Sequence, residues 1–219
     1  MVSLMNDYEL RVLAVRHGQT EWNVARRVQG HTDVPLNARG QAQARELART
    51  LAETPEDRPT VIFSADLQRA RRTAEIVQEA TGARLQFDAG LRERGFGKLE
   101  GMNIEAIGRE LPEIARRWRE RDLDWTPEGG ESLRTLIDRV ARTSQLLLSG
   151  VEREGTIVLF VTHGGVLDVL YRLAACADWQ TPSAWKADNC AINRLAYTGN
   201  GWRLIDWSGV RRQTTSDMP

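Results

Sequence analysis

The sequence predicts an α/β domain of three layers (α/β/α), a mostly parallel sheet between two sets of helices. Three observations lead there. Short apolar, β-branched runs alternate along the chain with amphipathic helical stripes, the order that strand–helix–strand units impose. Those runs are apolar on consecutive residues rather than on every second one, as suits strands covered on both faces. Finally, 219 residues bury roughly 70–75% of the surface their unfolded form exposes, enough for one core without disulfide or metal staples. The reading is a single domain over residues 1–219.

Residues 11–15 (RVLAV) form the first strand. Asn37 is the N-cap candidate for the helix after it, where Ala44, Leu47, Ala48 and Leu51 recur at helical spacing. Residues 60–63 (TVIF) form the second strand, and the stripe Leu67, Ala70, Ala74, Val77 then runs to Gly82, a helix-stop signal. A short strand at 84–87 follows. The stripe Leu133, Leu136, Ile137, Val140, Leu147 ends at Gly150. Residues 156–161 (TIVLFV) are continuously apolar, and 166–175 are apolar nearly all round, which predicts a buried helix. Alternating stretches at 192–197 and 202–207 flank Gly199-Asn200-Gly201 and read as a closing hairpin.

Composition narrows the function. Lys+Arg and Asp+Glu balance at 30 each, and the pI is about 6.9. A nucleic-acid binder driven by its field would carry a basic excess, so no nucleic-acid partner is expected. No apolar run reaches the ~18 residues of a membrane span, the first residues show no signal-peptide pattern, and a cytoplasmic protein is expected. Cys176 and Cys190 form no disulfide framework, and three histidines without ligand spacing predict no metal site. Only Lys98 and Lys186 are lysines. Base composition explains most of the arginines, yet a guanidinium in a pocket binds phosphate or carboxylate through two parallel hydrogen bonds.

In a parallel α/β sheet ligands bind beyond the carboxyl ends of the strands. There the chain places Arg16-His17-Gly18, then Ser64-Ala65-Asp66-Leu67-Gln68-Arg69, then Thr162-His163-Gly164-Gly165. Either histidine alone would more often be a core or surface residue. Two of three at equivalent strand ends, each before a glycine, bring two imidazoles and two guanidiniums into one pocket if the strands are neighbours. A neutral imidazole can attack phosphorus and carry the phosphoryl group covalently. Two arginines would bind the phosphoryl oxygens and disfavour the imidazolium, and a second imidazole with the Gly164 N–H would stabilise the transferring group. Residues 91–101 (LRERGFGKLEG) offer Glu93 and Glu100 as acids for the departing alkoxide.

These segments resemble the histidine phosphatase superfamily, the phosphoglycerate mutase-like proteins. The resemblance spans nearly the whole chain: VRHGQTEWN, SADLQRARRTA, LRERGFGKLEG, PEGGES at 127–132 and VTHGG, in that order. It implies that His17 is the phosphorylated nucleophile, that Arg16 and Arg69 clamp the phosphoryl group, that His163 completes the pocket and that Glu93 is the proton donor. It further implies substrate contacts at Asn23, Thr20, Gln29, Gly30, Arg94 and Gly164, a structural role for Glu100, and chemistry without metal or organic cofactor. His31 reads as an ordinary loop residue and Trp22 as a candidate for the site mouth. A non-catalytic phosphate-binding module on this fold would lack His17, Arg69, Glu93 or His163, and all four are present.

Such a phosphohistidine can be discharged to water, in a phosphatase, or to a substrate hydroxyl, in a mutase that uses 2,3-bisphosphoglycerate. Residues 93–103 resemble the mutase version, but Phe96 stands where mutases carry Tyr and Ile104 where they carry a substrate-binding Lys. Arg116-Arg117 could echo the paired arginines of the mutase cap. The helical cap expected at about 103–125 is shorter than that of the mutases, and PEGGES looks more like the small broad-specificity phosphatases. The reading therefore favours a phosphatase for a small anionic phosphate ester over a mutase. A homodimer is left open.

Overall fold

The computed structural model describes residues 9–208 apart from 153, 184, 186, 199 and 200. The elements are β1 (Leu10–Arg16), α1 (Glu21–Val24), α2 (Ala38–Glu53), β2 (Val61–Ser64), α3 (Gln68–Thr81), β3 (Arg84–Phe87), α4 (Ile104–Glu110), α5 (Pro112–Arg119), α6 (Leu133–Ser149), β4 (Ile157–Thr162), α7 (Gly164–Ala175), β5 (Asn193–Thr198) and β6 (Gly201–Asp206). The strand and helix expectations hold to within one or two residues. Asn37 Oδ1 caps α2 by accepting the Gly40 N–H, and Gly82 ends α3 in the left-handed conformation. Most of the Gly199-Asn200-Gly201 turn and the polar tail from 209 lie outside the described residues.

The strands run in the order β3-β2-β4-β1-β5-β6. The first four are parallel; β5 and β6 are antiparallel additions. The crossovers from β1 to β2 and from β2 to β3 step one way across the sheet, and that from β3 to β4 steps back. Right-handed crossovers therefore place α2 and α3 on one face and α6, with α7 packed on it, on the other. β1 and β4 lie side by side, and the chain leaves them toward opposite faces. Their carboxyl ends thus mark the switch point where such sheets open a crevice.

Val12 to Val15 and Val158 to Val161 are fully buried, which is why both runs read as continuously apolar. Edge strand β3 alternates in exposure instead. The stretch between β3 and α6 carries α4 and α5, the expected cap, with its own apolar cluster of Val28, Phe96, Leu99, Ile107 and Ala115. That cluster is separate from the main core, so the cap is a small packed unit laid over the strand ends. Among the described residues no helix is long and apolar enough to cross a membrane.

Candidate active site

The register of β1 on β4 pairs Arg16 with Thr162, so the next residues, His17 and His163, emerge side by side. Their ring centroids are 5.1 Å apart, and both side chains are buried. The His17 Nδ1–H donates to its neighbour's carbonyl, Gly18 O, at 2.7 Å. That bond fixes the tautomer and leaves the Nε2 lone pair as the reactive one. Burial, then the guanidiniums of Arg16 and Arg69, hold the His17 pKa well below its ordinary value, and the ring stays neutral. His163 is lowered by burial first, then by Arg69, His17 and Arg16.

Arg16 is anchored by Nη1 on the Ala187 carbonyl (2.9 Å). Arg69, in the first turn of α3, is anchored by the carbonyls of Thr32 (2.9 Å) and Gly30 (2.7 Å). Each arginine keeps a buried Nε with no partner in the protein, as do both ring nitrogens of His163. Buried polar groups are normally satisfied, and three orphaned donors beside His17, the two guanidinium Nε–H groups and the single N–H of a neutral His163, have the chemistry of an anion site.

Glu93 lies in a turn after β3. Its carboxylate accepts the backbone N–H groups of Gly165 (3.0 and 3.1 Å) and Arg94 (2.9 Å). Its carbonyl accepts from His31 Nε2 (2.8 Å) and Arg139 Nη2 (3.2 Å). The loop that anchors Arg69 is held by Glu100, which accepts the N–H groups of His31 (3.0 Å), Thr32 (2.8 Å) and Phe96 (2.9 Å) and the Thr32 hydroxyl (2.6 Å). Burial alone would raise the Glu100 pKa, but these bonds outweigh it and the carboxyl sits below its usual range. Gly30 has φ +51°, and a Cβ there would lie 2.1 Å from Glu100 Oε1, so the loop closes on this carboxylate only with glycine.

The expected site residues divide. Arg16, His17, Asn23, Gln29, Gly30, Arg69, Glu93, Arg94 and Gly164 line one cavity of about 560 Å³, and Trp22 is at its wall; His163 is buried beside His17. Thr20 is placed otherwise. It is fully buried, caps α1 and donates its hydroxyl to Gln29 Oε1 (3.0 Å), so it holds two wall residues from behind. The reason is the capping box, in which the Thr20 N–H also takes Asn23 Oδ1 (3.0 Å). His31, read as an ordinary loop residue, is bonded to the Glu93 segment. Arg116 and Arg117 do not reach the cavity; they pair with Glu113, Glu120 and Asp122 on the exposed side of α5. Arg94 and Arg121 stand in the cavity wall instead.

Sequence reasoning missed Gly165, Arg121, Asp168, Trp185 and Asn189. Asn189 Nδ2 donates to the His17 carbonyl at 2.7 Å and steadies the backbone of His17. Asp168 had a signal: with Arg172 it is one of two charged residues in the otherwise apolar α7. Among the described residues no group of three or more His, Cys, Asp or Glu is placed to hold a metal ion.

This arrangement, orphaned buried donors beside a neutral imidazole with a carboxyl next to it, has the make-up of a phosphoryl-transfer site. The chain belongs to the histidine phosphatase superfamily (branch 1), whose family model matches residues 12–209. It is 38% identical over 206 residues, 90% of each chain, to a probable phosphoglycerate mutase GpmB of Citrobacter koseri. A protein of the same name from Escherichia coli O1:K1 is 37% identical over 202 residues, again 90% of each chain. Among solved structures, a mycobacterial glucosyl-3-phosphoglycerate phosphatase bound to VO3 superposes with a TM-score of 0.79 at 29% identity, over 92% of this chain and 100% of that one. Bacillus stearothermophilus YhfR gives 0.80 at 26%, over 92% and 98%.

Proposed function

We propose that the protein hydrolyses a small phosphate monoester through a phosphohistidine on His17. One observation carries this: a neutral imidazole with a free Nε2 sits among orphaned nitrogens of Arg16, Arg69 and His163. His17 Nε2 attacks phosphorus as the bond to the leaving oxygen breaks, and Glu93 protonates that oxygen. Water then attacks the phosphohistidine, Glu93 takes its proton, and His17 departs with its lone pair restored. Arg16, Arg69, His163 and Asn23 hold the phosphoryl oxygens throughout; Asn23 spends Oδ1 on Thr20 and so offers its amide N–H groups. The guanidiniums supply the positive charge that phosphoryl transfer needs, so activity should survive a chelator. Loss in EDTA with restoration by a divalent ion would sink the metal-free scheme.

A second reading, a 2,3-bisphosphoglycerate-dependent mutase, is favoured by the names that the relatives at 37–38% identity carry. Phosphorus NMR separates the two. The protein is incubated with 3-phosphoglycerate and a trace of 2,3-bisphosphoglycerate. Inorganic phosphate supports the phosphatase; fast appearance of 2-phosphoglycerate overturns it in favour of the mutase. No turnover of this ester by the wild type, with no label on His17 from other phosphomonoesters, would end both readings.

A further inference from the structure

The floor of the cavity accounts for one phosphoryl group; what fills the rest is a separate question. A volume of about 560 Å³ lies within the roughly 300–1,000 Å³ of pockets that take drug-sized ligands, more than a three-carbon acid on a phosphate requires. The outer walls are rings and aliphatic chains: Trp22, Phe96, Ile104, Trp118 and Trp185. Phe96 and Trp118 stack with centroids 4.7 Å apart, 26° from parallel, and so present a fixed flat wall. Ile104, 46% exposed, continues it at the mouth.

Each cation of this outer half is tied to the protein by at least one bond. Arg26 is bound to Glu105 (2.8 Å), Arg27 to the Gly101 carbonyl (2.8 Å), and Arg94 to the carbonyls of Glu131 (2.9 Å) and Trp125 (3.0 Å). Arg121 is bound to Asp168 and to the Trp179 carbonyl. Among the described residues, the orphaned buried nitrogens near the cavity are those of Arg16 and Arg69, which line it with His17, and of His163, packed beside His17. Those buried donors suit one phosphoryl group beside His17.

We propose that the outer half is a compartment for a ring-bearing leaving alcohol, bulkier and less polar than glycerate. The inference rests on the phosphomonoesterase reading and specifies its substrate class. Chemistry occurs at the floor, and the ring lies against Phe96 and Trp118.

The test compares kcat/KM for 2-phenylethyl phosphate and propyl phosphate, two primary alkyl esters whose alcohols are of similar acidity, with 3-phosphoglycerate as a third substrate. Burying a phenyl ring is expected to favour the phenylethyl ester about tenfold or more. Trp118→Ala should bring the ratio toward one, and Trp118→Phe, which keeps a ring in the wall, should retain it. If Trp118→Ala does not fold, Ile104→Lys at the exposed mouth should lower the same ratio. A wild-type ratio near one, a ratio that neither Trp118→Ala nor Ile104→Lys lowers, or faster turnover of 3-phosphoglycerate than of the phenylethyl ester would overturn the compartment while leaving the hydrolase reading intact. If none of the three esters is hydrolysed and no phosphomonoester labels His17, the hydrolase reading fails, and the compartment with it.

Discussion

Replacing Gly165 by Ala should separate the fold from the chemistry. A Cβ on residue 165 would stand 2.2 Å from Glu93 Oε1 and 3.4 Å from the nearest Leu136 atom. Only the first distance is intolerable, and the atom that must yield is the free end of a side chain, so the fold should lose little. To regain an ordinary 3.4 Å contact the carboxylate has to retreat by about 1.2 Å from the position its two bonds to the Gly165 N–H define. Misplacement of a catalytic group by ~1 Å costs on the order of 100-fold, or about 2.7 kcal/mol of barrier. The loss should depend on the leaving group, because p-nitrophenolate departs without an acid and an alkoxide does not. In rapid-quench experiments Gly165→Ala should keep a burst of p-nitrophenol and then turn over slowly, while an alkyl phosphate loses the burst as well. Equal losses in the burst phase for both esters, or wild-type rates for the alkyl ester, would refute the assignment of Glu93.

Three further outcomes are expected. His17 and His163 are held neutral by burial first and then by the guanidiniums, with pKa values well below the ordinary 6.5; the unfolded chain therefore binds more protons below that pH, and stability, full above about 6.5, is lost on acidification. The slope should approach 1.4 kcal/mol per pH unit for each histidine in urea midpoints between pH 7 and 5, and His163→Gln should remove one histidine's share; a flat profile would contradict the buried neutral pair. Glu100→Ala strands four donors and frees the loop that anchors Arg69, so calorimetry should show a Tm lower by roughly 5–10 °C, and a change under 2 °C would mean that the loop holds itself. Arg121→Ala leaves Asp168 bonded to Arg172 and Ser183 but unties the end of the cap from the Trp179 carbonyl; KM should rise several-fold more than kcat falls, and a pure kcat loss would put Arg121 in the chemical step instead.

The placement of much of the candidate site was legible because it rests on short-range rules. A strand that reads as continuously apolar is buried on both faces, its end is where a ligand binds, and His17 and His163 occupy two such ends. What escaped the sequence belongs to segments without a period. The described residues among 178–190, which bring Ser183, Trp185 and Asn189 to the cavity, form no helix or strand, and nothing in their spacing says which way they turn. The cap arginines show a different limit. α5 has eight residues with arginines at 116, 117 and 119, too many for an apolar stripe to tell inside from outside. The arginine that does line the cavity, Arg121, lies beyond the helix with φ +54°, where helical spacing no longer applies. Thr20 was misplaced for a related reason: its hydroxyl could serve a ligand or the end of α1, and only the bond to Gln29 decides.

The cap lies within a single interval of the chain, between β3 and α6, and packs around an apolar cluster that it shares with Val28 but not with the sheet. His17 and its imidazole neighbour His163, by contrast, are set by the hydrogen-bond ladder of β1 on β4. Selection could thus redraw the substrate range by changing one contiguous stretch of sequence while the reacting atoms keep their spacing, and a change in the ladder would damage every activity the scaffold could host.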